Sequence, residues 1–503
     1  MGCEGVIVRE HYLDIPTILT GRLEMVDRDV VLYWNSVAME AVAQDFSTDE
    51  TPEQKGPTAT SRAMAMVHIG MHDAYLGVVG AAAGPKNPNG YGLYSPVIVA
   101  PPPGAQEETA VTAAALTLLN ALYPRQRERF ESRHQESPFN LSGTDPGWEY
   151  GMSIAEQVLA SRATDNAQST IQDLGEAAYA YSHQYGRHRP DPVTASHGSR
   201  SLHPRWGLVT PFQASLQPLP PPPGYALANY LGDPVYLNHH NEVLTRGGHP
   251  SLNSTNRSAE QTAIGLFWAY DGPKGLGTPP RLYNQIMRKL SDQHALPVWD
   301  NARLLFLVNI AMADAGIQAW HWKYVYNLWR PVIGIREADP NVGPAASPGT
   351  ISGPCDPAWR PLGAPQTNGE GKPDFTPNFP AYPSGHATFG GAALQVARLF
   401  LKQRNGLAFD DHAADALAFH FVSDELDGKQ EGTDGILRPR HNRQFPSVWR
   451  AMIENGESRI WLGVHWRFDA FVDVADLESP AGKIGGIPLG MSIADAVWAA
   501  FPQ

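Results

Sequence analysis

Periodicity narrows the fold more than any other feature of this chain. Apolar residues recur every three to four positions along most of it. The alternation that marks a strand is confined to short runs such as Val97-Ile98-Val99. Four helices are expected in the first third, at 28–45, 61–79, 109–122 and 149–163. Six more are expected at 258–270, 280–290, 301–322, 386–402, 411–422 and 448–465. The stretch between the two groups is punctuated by Gly and Pro, including the run Pro218 to Gly224, and has no helical period. The expected fold is mainly α, with two helical bundles packed side by side and long Pro/Gly-rich connections. Residues 1–165 would form the N-terminal bundle and 166–257 a connection wrapping a surface. Residues 258–503 would form a C-terminal bundle that carries the active site.

Charge and cysteine usage exclude some classes of function. A net charge of −13 argues against nucleic acid or an anionic membrane as the main partner. Cys3 and Cys355 have no metal-ligand spacing, and two free thiols are expected. No segment reaches the ~20 apolar residues of a membrane span. The nearest, 304–320, carries Asn309, Asp314 and Gln318 and reads as a buried core helix. The N-terminal residues match no conventional targeting signal, so the expected location is cytoplasmic, or outside by a non-standard route.

Against that acidic background three short segments collect cations and histidines. They are Lys323-(six residues)-Arg330-Pro331, Pro383-Ser384-Gly385-His386, and Ser458-Arg459-(five residues)-His465-(three residues)-Asp469. Lys323, Arg330 and Arg459 supply three positive charges, enough for a tetrahedral oxyanion, and guanidinium forks match such oxygens. His386 and His465 can change protonation near neutral pH. Lys323 is expected just after a long helix, and Arg330 in extended backbone before Pro331. The amides of Ser384 and Gly385 are expected to point outward at a helix start, a ready anion site. Arg459 and His465 are expected on one helix, on nearly the same face. His68 and His72 have the spacing of metal ligands, but their apolar helix favours a satisfied core pair over a zinc site.

These motifs resemble the signature shared by type 2 phosphatidic acid phosphatases, bacterial acid phosphatases and vanadium haloperoxidases. Within that superfamily the chain is most similar to the fungal-type vanadium chloroperoxidases. The similarity extends through Leu32-Tyr33-Trp34-Asn35, Tyr270-Asp271-Gly272, Pro280-Arg281-Leu282-Tyr283-Asn284-Gln285, Phe379 to Ala392, Gly463 to Asp469 and Gly485 to Gly490. The resemblance implies a peroxidase that turns hydrogen peroxide and chloride, bromide or iodide into hypohalous acid. Its cofactor would be vanadate, with neither haem nor flavin, and phosphate would compete for the site. His465 would be the covalent ligand. Lys323, Arg330, Ser384, Gly385 and Arg459 would bind the oxygens, Lys323 also polarising the oxidant, and His386 would act as acid and base. Trp320 and Phe379 would bear on halide choice, though both suit an ordinary core as well. Asp271 would pair with Arg459, and Asp469 would either orient His465 or pack at a helix end. His465 should then carry its proton on the nitrogen away from the cofactor, and His386 should have a pKa near working pH. The same residues suit an acid phosphatase acting through a phosphohistidine. A protein that only binds the anion would leave the two histidines unexplained.

Overall fold

The computed structural model describes residues 29–502, apart from 49, 81, 96–99, 140–143, 173–178, 195–199, 228 and 254. Cys3 and the strand expected at 97–99 lie outside those residues. The fold is mainly helical. The first helices are α1 (Val30–Asp45), α2 (Gly56–Val79), α3 (Glu107–Leu122), α4 (Arg127–Gln135), α5 (Pro146–Ser161) and α6 (Ala167–Gln172). They are followed by α7 (Pro234–Arg246), α8 (Ala259–Phe267), α9 (Pro279–Gln293) and α10 (Val298–Tyr326). The last five are α11 (Pro331–Gly334), α12 (Gly385–Asn405), α13 (Val448–Trp461), α14 (Arg467–Ala470) and α15 (Gly486–Ala500). The described sheet is a single antiparallel pair, β1 (Phe419–Val422) and β2 (Asn442–Phe445), in which Phe419 faces Phe445 and Val422 faces Asn442.

One continuous buried cluster runs from Val30 in α1 to Val497 in α15. Within it α10, 29 residues long, packs against both α2 and α12, and α12 packs in turn against α13 and α15. Of the described helices, α10 alone is long and apolar enough to cross a membrane, but its most apolar stretch is wholly buried. The polar residues on α10 explain why it belongs in a protein interior. Asp314 accepts from the amides of Phe212 (2.6 Å), Gln213 (2.8 Å) and Ala214 (2.6 Å), and Gln318 accepts from Gln217 (2.7 Å). Further along, Trp320, Trp322 and Tyr326 donate to the carbonyls of Leu202, Gln217 and Leu219. The 212–219 stretch of the Pro/Gly-rich connection thus lies along α10, with backbone polar groups satisfied by that helix's side chains.

Three expectations need correction. The connection is not free of helix. Asp233 caps α7 by accepting from Val235 (2.8 Å) and Tyr236 (3.1 Å), and Tyr236, His239, His240 and Val243 are buried at helical spacing. Two histidines on the inner face had hidden that period. Residues 411–422 are not a helix, because Phe419-His420-Phe421-Val422 alternates buried and exposed and forms β1. Before it, Asp415 pairs with Arg398 (2.7 Å) and accepts from the first amides of α13, Val448 (3.0 Å) and Trp449 (2.9 Å). Helix α13 stops at Trp461, short of the expected 465. Gly463 takes φ +71°, and a Cβ there would collide with the carbonyl of Gly247. Besides α7, helices α4, α6, α11, α14 and α15 were not expected either.

His68 bonds to the Met64 carbonyl (2.6 Å) and to Asn35 (2.9 Å), and His72 stacks on Phe306 at 4.0 Å. No group of three potential metal ligands occurs among the described residues, so the pair belongs to the core. Cys355 is a half-buried free thiol.

Asp314→Ala is expected to destabilise the protein by about 3–5 kcal/mol, since three inward amides lose their acceptor. The difference in urea midpoint between the two proteins measures it. A shift under 1 kcal/mol would show that the connection is held by other contacts.

Candidate active site

The ends of α10, α12 and α13 converge with the segments 327–330, 376–384 and 462–469 on one group of buried cations. Lys323, Arg330 and Arg459 are at most 1% exposed. Lys323 occupies the last turn of α10 rather than following it, and left-handed Asn327 ends the helix one turn later. Its Nζ donates to the carbonyls of Pro380 (2.8 Å), Ala381 (3.0 Å) and Pro383 (2.5 Å). Three acceptors match the three N–H groups of an ammonium. Burial and the nearby Arg330 push its pKa well below the usual lysine range, and the carbonyls oppose that by accepting from the charged form. Lys323 thus holds the 380–383 segment, and contact with an anion requires it to exchange one carbonyl. Arg330 has the expected extended backbone, and Pro331 begins the short helix α11. Arg330 donates from Nε to Phe379 O (2.9 Å) and from Nη1 to Val464 O (2.7 Å) and to His465 Nε2 (2.8 Å).

Those contacts fix the His465 tautomer. Arginine only donates, so Nε2 must accept and the proton sits on Nδ1, 2.8 Å from Asp469 Oδ2. Asp469 meets both expectations in geometry, since the oxygen that accepts from His465 Nδ1 also accepts from the Trp466 amide (3.0 Å) at the start of α14. Burial raises the Asp469 pKa to about 7, opposed by Lys323 and Arg330. Burial, with the three cations, pushes His465 well below the ordinary imidazole range, which leaves Nε2 a free base. Because α13 ends early, Arg459 and His465 do not share a helix. The left-handed turn at Gly463 swings His465 back toward Arg330 instead.

Arg459 Nη2 binds both oxygens of Asp271, at 2.7 and 2.9 Å. His386, in the first turn of α12, places Nε2 at 2.5 Å from the Ala269 carbonyl, so that nitrogen carries the proton and Nδ1 is the basic one. Nδ1 lies 3.9 Å from Asp271 Oδ1. A pKa near working pH is not what the protein alone provides. Burial, followed by the Arg459 charge, holds His386 at about 3. The amide of Ser384 is not free either, since it donates to Asp469 O at 2.8 Å. Gly385, as the first residue of α12, keeps an amide with no partner inside the helix. Its Cα packs so closely on Trp320 that a Cβ would meet the indole at 3.2 Å.

Sequence reasoning overlooked Tyr283 and Asn455, each 2.9 Å from the His386 carbonyl and so fixing the start of α12. It also overlooked His188, a buried imidazole bonded to Asn378 (3.2 Å) and held neutral by burial and Arg330. Tyr283 lies inside the family-like Pro280–Gln285 string, which was the one available signal.

Asp271, Trp320, Phe379, Gly385, His386, Arg459 and His465 line one cavity of about 620 Å³. Lys323, Arg330, Ser384 and Asp469 stand behind its wall. The Trp320 and Phe379 rings lie 4.8 Å apart, and Phe379 packs under Lys323 Nζ (5.0 Å) and the Arg330 guanidinium (4.8 Å). Arg330 Nη2 and Arg459 Nε and Nη1 are buried without a partner. Leaving a charged donor unpaired in a dry site costs more than 1 kcal/mol. Three such donors, with an unprotonated imidazole nitrogen held by Arg330 Nη1, fit a tetrahedral oxyanion such as vanadate or phosphate.

Lys323→Met is expected to lower stability by about 3 kcal/mol or more, because three inward carbonyls lose a charged donor. Urea denaturation without added anion reads it. Unchanged stability would mean that the lysine does not hold the segment.

Two family models match the chain, the vanadium chloroperoxidase N-terminal domain over 23–193 and its second helical-bundle domain over 303–475. The chain is 32% identical to the vanadium chloroperoxidase of Curvularia inaequalis, over 94% of this chain and 90% of that protein. Among solved structures it resembles a bacterial vanadium-dependent iodoperoxidase, with TM-score 0.65 and 20% identity over 93% of this chain and 96% of that one. It also resembles the holo form of a bacterial vanadium-dependent chloroperoxidase, with TM-score 0.58 and 16% identity over 92% of this chain and 96% of that one. The two structural likenesses speak to fold, but the sequence identity spans nearly the whole of both chains and agrees with the cation cluster built above: the chain belongs to the vanadium chloroperoxidase family.

Proposed function

We propose that this chain oxidises chloride, bromide and iodide with hydrogen peroxide to hypohalous acid, with vanadate bound at His465 Nε2. The observation that carries the reading is the unprotonated His465 Nε2, which accepts from Arg330 Nη1 while Nδ1 donates to Asp469, together with three buried guanidinium nitrogens of Arg330 and Arg459 that lack partners. Vanadate bound there would act as a Lewis acid that activates peroxide toward halide, without changing oxidation state.

Each side chain has a separate task. Arg330 and Arg459 neutralise the oxyanion, and Asp271 keeps the Arg459 fork in one orientation. The Gly385 amide donates to an oxygen from the start of α12. Lys323 anchors the carbonyls of 380–383 and can turn one N–H toward the oxidant. His386 Nδ1 takes the proton from incoming peroxide, since Nε2 is committed to Ala269. An anion between the two guanidinium groups offsets the Arg459 and Arg330 charges that add to burial in lowering His386, and so raises its basicity. Trp320 and Phe379 exclude water from the side where the halide approaches, which suits chloride, the hardest of the three to strip and oxidise.

His465→Ala is expected to abolish vanadate-dependent oxidation of bromide and chloride. Full activity at saturating vanadate would overturn the assignment of the ligand. If the vanadate-free protein hydrolyses p-nitrophenyl phosphate while the loaded protein oxidises no halide, the phosphatase reading replaces this one.

Arg330→Ala and Arg459→Ala should each weaken vanadate by about 10- to 150-fold, from the loss of one charge-assisted contact. Calorimetric titration checks this, with phosphate competing in the wild type. Unchanged affinity in both variants would show that the cluster does not bind the anion.

A further inference from the structure

The active-site cavity is far larger than its proposed inorganic reactants require. A volume of about 620 Å³ lies in the range of organic-ligand sites, roughly 300–1,000 Å³. From the buried histidines it runs outward past apolar walls made by Phe46, Leu202, Phe375 and Phe389. Its outer end carries Lys55, Arg200, Lys274 and Lys372, together with one acidic residue, Glu50. Glu50 is already paired with Arg125. None of the four cations has an acidic partner among the described residues, although the whole chain holds 51 acidic against 38 basic side chains. Arg200, Lys274 and Lys372 are exposed, whereas Lys55 is half-buried. Burial and the adjacent Arg200 charge both push Lys55 below the usual lysine range. Lys55 and Arg200, like charges acting on each other without an anion, carry a cost that a bound anion relieves.

We propose that this cavity holds an organic halogen acceptor, an electron-rich aromatic body against the apolar walls and a carboxylate among the four outer cations. The inference rests on the haloperoxidase reading and deepens it by naming the class of acceptor. In the first step H2O2, X− and H+ give HOX and H2O, the halide being oxidised and the peroxide reduced. In the second, a carbon of the acceptor attacks the halogen of HOX. The C–X bond forms, the X–O bond breaks, and the departing hydroxide takes the displaced ring proton as water. An acceptor held in the cavity meets HOX before it escapes, so the protein selects the substrate.

The test compares 3-(4-hydroxyphenyl)propionate with its primary amide, which share a ring and differ in charge. Triiodide formation from iodide, peroxide and vanadate first reports halide oxidation with no organic acceptor; its absence would sink the haloperoxidase reading itself. With bromide, the acid should be brominated in preference to the amide by about tenfold over the ratio that reagent hypobromite gives. Calorimetry on the vanadate-saturated, peroxide-free protein should show the acid binding more tightly than the amide. The double variant Arg200→Glu/Lys372→Glu, altered at two exposed positions, should lose both preferences. A competition ratio equal to that of reagent hypobromite, equal binding of acid and amide, or a preference untouched by the double variant would each overturn the proposal. The first of these, with triiodide still formed, would leave the cations as a funnel for halide alone.

Discussion

Desolvated positive charge is the constraint around which this site is built. Lys323, Arg330 and Arg459 lie behind or along one cavity wall, and among the described residues the carboxylates acting on Lys323 and Arg330 are Asp469 and Asp271. One of the two is pushed toward neutrality by burial. Backbone carbonyls supply most of the remaining compensation, from Phe379, Pro380, Ala381, Pro383 and Val464. Proline suits that task because it brings a carbonyl without an amide, so a buried segment rich in it offers acceptors and leaves few donors to satisfy. Two of the amides that remain are placed, Ala381 on Leu328 O (2.9 Å) and Ser384 on Asp469 O (2.8 Å). The cations therefore shape the loop, and the loop in turn fixes where α12 and His386 begin.

Helix α10 connects that site to the rest of the molecule. The helix that ends in Lys323 also holds the Pro/Gly-rich connection through Asp314, Gln318, Trp320, Trp322 and Tyr326. Leu202, a residue of that connection, forms part of the cavity wall. The outer cavity and the anion pocket therefore refer to one rigid element, which gives the precision that a site made from loops alone lacks. Within that connection the backbone of Leu202 and of the 212–219 stretch is held by side chains of this one buried helix.

Much of this was legible in the sequence. The helical period located most of the helices, and the three motifs named the residues that meet at the cavity. Three kinds of information were missing. Inner-face histidines concealed α7, since the period counts them as polar although burial holds His239 and His240 neutral at about 4. The 411–422 segment misled because four residues of alternation are too few to outweigh a helical count. Within the site, spacing could not show that a left-handed glycine separates Arg459 from His465, or that the Ser384 amide and all three Lys323 donors already have partners. Those are facts about backbone direction, and residue type constrains that only at glycine and proline.

The cluster alone does not choose between phosphate and vanadate, because it recognises charge and tetrahedral shape. Two features outside it carry the chemistry. One is the tautomer of His386: Ala269 claims Nε2, so proton transfer is confined to Nδ1 on the Asp271 side. The other is the field acting on that imidazole. Burial, and after it the Arg459 charge, pushes the His386 pKa down to about 3. An oxyanion between Arg330 and Arg459 would offset the charge part of that shift and leave the burial part in place. Since that offset depends on charge alone, phosphate should supply it as well as vanadate does. The anion that fills the pocket, and what it does to peroxide, then decides between a phosphatase and a haloperoxidase built on one set of side chains.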